Sequence, residues 1–181
     1  MKGLVGLALI LGIVLAVAAA CYPAAPKQLE GLAFLIGEWA GGGGGNPGEA
    51  AGSASFTRGL QDRVIIRTSY AEYPATESAP ASRHDDLMII YAAEADGIRA
   101  DYFDNEGHVI RYAVTLPAPE QAVFTSDPSA EGPRFRLSYT LGKNGVLKGE
   151  FDIATPDKPD VFAPYLTWES SKISRPAKAE N

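Results

Sequence analysis

From residue 38 to residue 173 hydrophobic and polar positions alternate in short runs. The clearest run is 134–141, where Phe135, Leu137, Tyr139 and Leu141 alternate with Arg134, Arg136, Ser138 and Thr140. Residues 146–154 repeat it, with Leu147, Gly149, Phe151 and Ile153 set against Lys148, Glu150 and Asp152. A period of two marks a strand with one dry and one wet face. Runs of this kind predict ten strands, at 38–42, 51–60, 63–73, 86–94, 98–104, 108–116, 122–126, 134–141, 146–154 and 162–173. Asp96-Gly97, Asn105-Glu106-Gly107 and Asn144-Gly145 place glycine where a hairpin needs positive φ, so the strands form an antiparallel up-and-down meander. Ahead of them, Leu29, Leu32 and Ile36 fall at helical spacing and predict a short N-terminal helix over 27–36.

Carried along the strands, the alternation puts Tyr91, Tyr102, Tyr112 and Tyr139 on the dry face with Phe135 and Phe151, and extends to Tyr70 and Tyr165. Buried phenols need hydrogen-bond partners, so a solid core favours plain aliphatic residues. Many inward tyrosines instead suit a cavity with some polar content, and these eight aromatic residues are the candidate ligand-binding set. Arg67 and Arg111 are the side chains to consider if the cavity holds an anion, but both read as outer-face residues. His84, in a polar loop beside Asp85 and Asp86, makes a poor metal site, because neighbouring side chains on a strand point to opposite faces. His108 reads as a solvated residue at a strand start. The glycines at 41–45 lead into more strand rather than a helix, which makes them a flexible loop rather than a phosphate-binding one. No ordering of serine, cysteine, histidine and acid suggests a nucleophilic site, so neither catalysis nor a metal is expected.

Composition changes this picture mainly at the ends. Of 181 residues 46% are hydrophobic, but residues 1–20 consist of apolar residues, three glycines and Lys2. That is the form of an export signal. Removing Lys2 from a net charge of −6 leaves −7 on the rest, and an acidic chain without a basic block is a poor partner for nucleic acid. The single cysteine, Cys21, excludes an internal disulfide. Residues 21–26 read as a tether, 27–173 as one domain, and 174–181 as a polar tail.

Two motifs resemble known families. Ala18-Ala19-Ala20-Cys21 resembles a lipobox, which implies a lipid on Cys21 and a membrane-anchored lipoprotein of the cell envelope; ordinary cleavage after Ala-x-Ala, giving a soluble exported protein, is the alternative. Gly37-Glu38-Trp39, after a short helix and opening the first strand, resembles the Gly-x-Trp signature of the calycins. That resemblance implies an all-β antiparallel barrel around a ligand cavity, with Trp39 plugging the closed end and a basic residue, Lys172 or Arg175, packed over the indole. Ten strands, a closing strand with Trp168, and the hairpin from Asp104 to His108 are most similar to nitrobindin-like barrels and related bacterial lipocalin-like domains. Nitrobindins hold haem through a histidine near the carboxy terminus, and this chain has no histidine after His108, so no cofactor is expected. The expected function is non-catalytic binding of a small, largely apolar molecule. A structural or interaction module of the envelope is the alternative, and a haem protein the second alternative.

Overall fold

The computed structural model describes residues 25–41, 51–77, 79–94, 97–130 and 132–173. The expected signal, Cys21, the glycines from 42 on and the tail with Arg175 lie outside the described residues. Among those described, a 3-10 helix at Lys27–Leu35 precedes ten strands: β1 Gly37–Gly41, β2 Ala51–Gly59, β3 Val64–Tyr73, β4 Ser82–Ala93, β5 Gly97–Asp104, β6 Val109–Thr115, β7 Gln121–Ser126, β8 Arg134–Leu141, β9 Val146–Ala154 and β10 Ala163–Lys172. Each strand pairs antiparallel with its sequence neighbours, and β1 pairs with β10, which closes the sheet into a barrel. This is the architecture that the calycin resemblance implies. The hairpin glycines Gly107 and Gly145 have φ of 92° and 77°, values that their turns require and that residues with a Cβ rarely adopt.

The helix differs from expectation in its pitch. A 3-10 helix repeats every ~3 residues, so the fully buried stripe is Leu29, Leu32 and Leu35, and Ile36 becomes the residue that ends it. Burying each leucine contributes about 1.5–3 kcal/mol, and together they plug one end of the barrel. Trp39 sits directly inside this plug, with its Nε1 donating to the Leu35 carbonyl at 2.7 Å. Lys172 places its Nζ 5.3 Å from the indole centroid. Gly37 makes room for it, because a Cβ there would stand 2.5 Å from Lys172 Cε.

β4 begins at Ser82, earlier than the expected 86, because its ladder with β3 runs on to the pair Tyr73 and Ser82. His84 is therefore a strand residue rather than part of a loop. By the up-and-down order of the strands the connections β3–β4, β5–β6 and β9–β10 lie at the end of the barrel opposite the plug, and among the described residues this end is open.

Candidate functional site

Inside the barrel is a cavity of about 540 Å³ that opens at this end. It has two unlike walls. One comes from β8, β9 and β10 and is aromatic. Tyr139 is the centre of that wall's packing: Phe56, Phe124 and Trp168 meet it edge to face at centroid distances of 5.6, 6.1 and 6.1 Å. Trp168 lies across its ladder partner Gly149, where a Cβ would collide with the indole at 2.2 Å. Nearer the opening Phe135 stacks on Phe151 at 5.7 Å, and Tyr165 meets Phe151 at 6.4 Å. A register shift between Pro164 and Leu166 lifts Tyr165 out of the ladder, so it stands at the mouth, largely exposed, rather than on the inner face.

The opposite wall, from β3, β4 and β5, is charged. Arg67 is 7% exposed and donates from Nη1 to Asp86 Oδ1 at 2.5 Å. The expectation of an outer-face Arg67 is thus corrected: it pairs with Phe56 and Met88, both in the core. Arg111, in register with Asp101, is exposed on the outside. Burial works against the charge on Arg67, but Asp86, followed by the surrounding tyrosines, outweighs it and the guanidinium stays protonated. Burial pushes the Asp86 carboxyl above its ordinary value, while Arg67 and His84 pull it back only in part.

Around the mouth this wall continues as a polar chain. His84 contacts Glu106 through Nδ1 and the Tyr102 hydroxyl through Nε2, both at 3.0 Å. Tyr102 donates to Asp104 Oδ2 at 3.2 Å, and the same oxygen meets His108 Nδ1 at 2.8 Å. Asp104 also caps its turn, accepting the backbone N–H groups of Glu106 and His108 at Oδ1. Its side chain is only 3% exposed. Burial pushes it upward, yet these hydrogen bonds prevail and hold its pKa below the usual carboxylate range. Burial, then the nearby carboxylates, raises the Tyr102 phenol, and burial likewise raises Tyr112, so both remain neutral hydroxyls.

Of the eight aromatic residues read as inward, Tyr102, Tyr112, Tyr139, Phe135 and Phe151 line the cavity, and Tyr70 and Tyr165 border its mouth. Tyr70 pairs with Asp85 and Ser53, and its ring lies 4.1 Å beneath the Arg83 guanidinium at the rim of the barrel, where it borders both the cavity and the outer face. Tyr91 is a correction. It pairs with Arg99 and reaches Asp101 at 3.3 Å, on the outside. The depression beside Tyr70 is larger, about 640 Å³, but it lies on the outer face, wide open to solvent and bordered by Arg83 and Asp85, which already bind each other. The enclosed cavity is the better site, because it can remove most of a small molecule from water.

Two polar groups in that cavity stand out. Arg67 Nε and the Tyr139 hydroxyl are buried, and neither has a hydrogen-bond partner. His84 offers no free ring nitrogen to a haem iron, and the exposed His108 is the one other histidine of the chain. Both ring nitrogens of His84 are engaged, and His108 is bound to Asp104 at the exposed rim. Among the described residues no three histidine, cysteine or acidic side chains are grouped to hold a metal ion. No family model matches this chain, and no curated protein matches it.

Proposed function

We propose that this protein binds a small, largely apolar molecule in the barrel cavity, without catalysis, and that it does so as an exported lipoprotein anchored through Cys21. The observation that carries the reading is the open cavity of about 540 Å³ with one continuous aromatic wall. Its volume falls in the ~300–1,000 Å³ range of small-molecule sites, and a barrel built only as a scaffold gains nothing from leaving that space unfilled. Dispersion and hydrophobic contact with Phe135, Phe151 and Tyr139 supply affinity, and the charged wall orients the occupant. Among calycin-like barrels the chain is placed by resemblance with the nitrobindin-like group, with a cavity used for an organic ligand in place of haem.

Native mass spectrometry of the protein purified from cells that export it is expected to show a copurified small molecule, and an apolar fluorescent probe is expected to bind with one site. Phe151→Trp, which fills the aromatic wall, should weaken the probe. Full probe affinity in that variant, with no copurified species, would overturn the reading. For the anchor, metabolic labelling with palmitate should mark the wild-type chain and not Cys21→Ser.

A further inference from the structure

We infer that the polar end of the ligand is an uncharged hydrogen-bond acceptor, a carbonyl or ether oxygen, seated at Arg67 Nε and the Tyr139 hydroxyl, and that Asp86 is the residue that turns carboxylates away. This rests on the reading of the cavity as a ligand site.

A guanidinium has only donors. Arg67 spends Nη1 on Asp86, and its Nε, in a side chain 8% exposed, has no partner. The Tyr139 hydroxyl, in a residue 2% exposed, has none either. The two groups lie close together, so that Arg67 acts on the Tyr139 hydroxyl through its charge and as a weak hydrogen-bond donor, but the geometry falls short of a full hydrogen bond and leaves both capable of a better partner. Buried polar groups are nearly always satisfied, and here the lining of an open cavity leaves a donor and a hydroxyl together. An oxygen acceptor on the occupant completes both, whereas an ammonium group would meet the positive charge of Arg67.

Charge decides between acceptors. The positive charge of Arg67 is already countered by Asp86, which is itself 6% exposed at the side chain. Facing Asp86 are Arg67 and Ser69 from β3, His84 on its own strand at 3.9 Å, and Asp104 from β5. Asp104 is committed to Tyr102 and His108, and Glu106 to His84. Arg67 is therefore the one permanent cation among the described cavity-lining residues, and its charge is spoken for. A ligand carboxylate beside Nε would bring a second anion close to Asp86 in a site of low dielectric, where like charges repel strongly. A ketone, ester or ether oxygen uses the same two groups without that repulsion.

The test is titration calorimetry of the purified protein at neutral pH with four matched probes: 2-acetylnaphthalene, 2-naphthoate, 2-(aminomethyl)naphthalene and 2-ethylnaphthalene. The ketone is expected to bind roughly tenfold or more tighter than the carboxylate and the amine. In Asp86→Asn the carboxylate should gain at least about tenfold, because Arg67 is then free to hold it. Tyr139→Phe should weaken the ketone severalfold and leave 2-ethylnaphthalene unchanged, which keeps the inference testable if Asp86→Asn does not fold. Wild-type protein that prefers the carboxylate or the amine, a folded Asp86→Asn variant with an unaltered preference, or a Tyr139→Phe variant that leaves ketone affinity unchanged overturns it. Failure of all four probes, the apolar 2-ethylnaphthalene included, overturns the cavity reading itself, whereas 2-ethylnaphthalene bound as tightly as the ketone leaves that reading standing and removes this one.

Discussion

The two walls of the cavity enclose the same space and are built on opposite physics. On β8 and β9 the interior is made of rings in edge-to-face and stacked contact, each contributing area and dispersion largely independently of the next. On β3, β4 and β5 it is made of charges that are tolerable only as a set, since Arg67 without Asp86, or the reverse, is a buried ion with no counterpart. The aromatic wall can absorb a change and bind many shapes. The charged wall is close to all-or-none, and under the proposed function it is the wall that sets selectivity.

The largest effect that would break this contrast is at the ion pair. Arg67→Ala is expected to lower stability by about 3–5 kcal/mol, because it strands Asp86, while the paired replacement of Arg67 by Met and Asp86 by Leu should come within about 1 kcal/mol of wild type or exceed it. Urea unfolding of the three proteins measures both, and a double variant as unstable as the single one would mean that the pair is not acting as a unit. A smaller effect is expected across the cavity. Tyr139→Ala should cost about 3 kcal/mol, from a cavity at the point where three rings meet. Tyr139→Phe should cost less than about 1 kcal/mol, since its hydroxyl has no protein partner to lose.

The smallest effect is a pH dependence confined to the charged wall. Asp104 has its pKa lowered in the folded protein from an ordinary value near 3.8. The unfolded chain therefore binds its proton first as pH falls, so the contribution of Asp104 to stability is fully present above about pH 4 and is lost on going down through the lowered value. Unfolding curves taken over this acid window should show a shallower decline for Asp104→Asn than for wild type. An identical slope in both would show that the turn cap does not hold the ionised form.

The two walls also differ in how far the amino-acid sequence reveals them. On 134–141, and on 147–153 inside the next strand, every apolar residue falls on one parity, so the phase of the alternation is unambiguous and the aromatic wall is legible from periodicity alone. On 64–66 and 87–91 apolar residues occupy consecutive positions, Val64-Ile65-Ile66 and Leu87-Met88-Ile89-Ile90-Tyr91, and either parity can be taken as inward. The structure turns Ile65, Met88 and Ile90 in, which carries Arg67, His84 and Asp86 with them, sends Tyr91 outside and leaves Tyr70 at the rim. Reading Arg67 as exterior follows the general cost of burying a charge. What cancels that cost is Asp86, nineteen residues away and adjacent only across the β3–β4 ladder. No local signal announces such a partner.

The chain by itself determined the strand count, the hairpin turns, the Gly37-to-Trp39 element inside the plug and the aromatic half of the interior, because each depends on periodicity or on residues a few positions apart. Only the tertiary structure decided which face of β3 and β4 looks inward and hence that the cavity holds a guanidinium, a carboxylate and an unpartnered phenol. That choice is made by register with neighbouring strands and by closure of β1 on β10, which fix the phase of every strand at once.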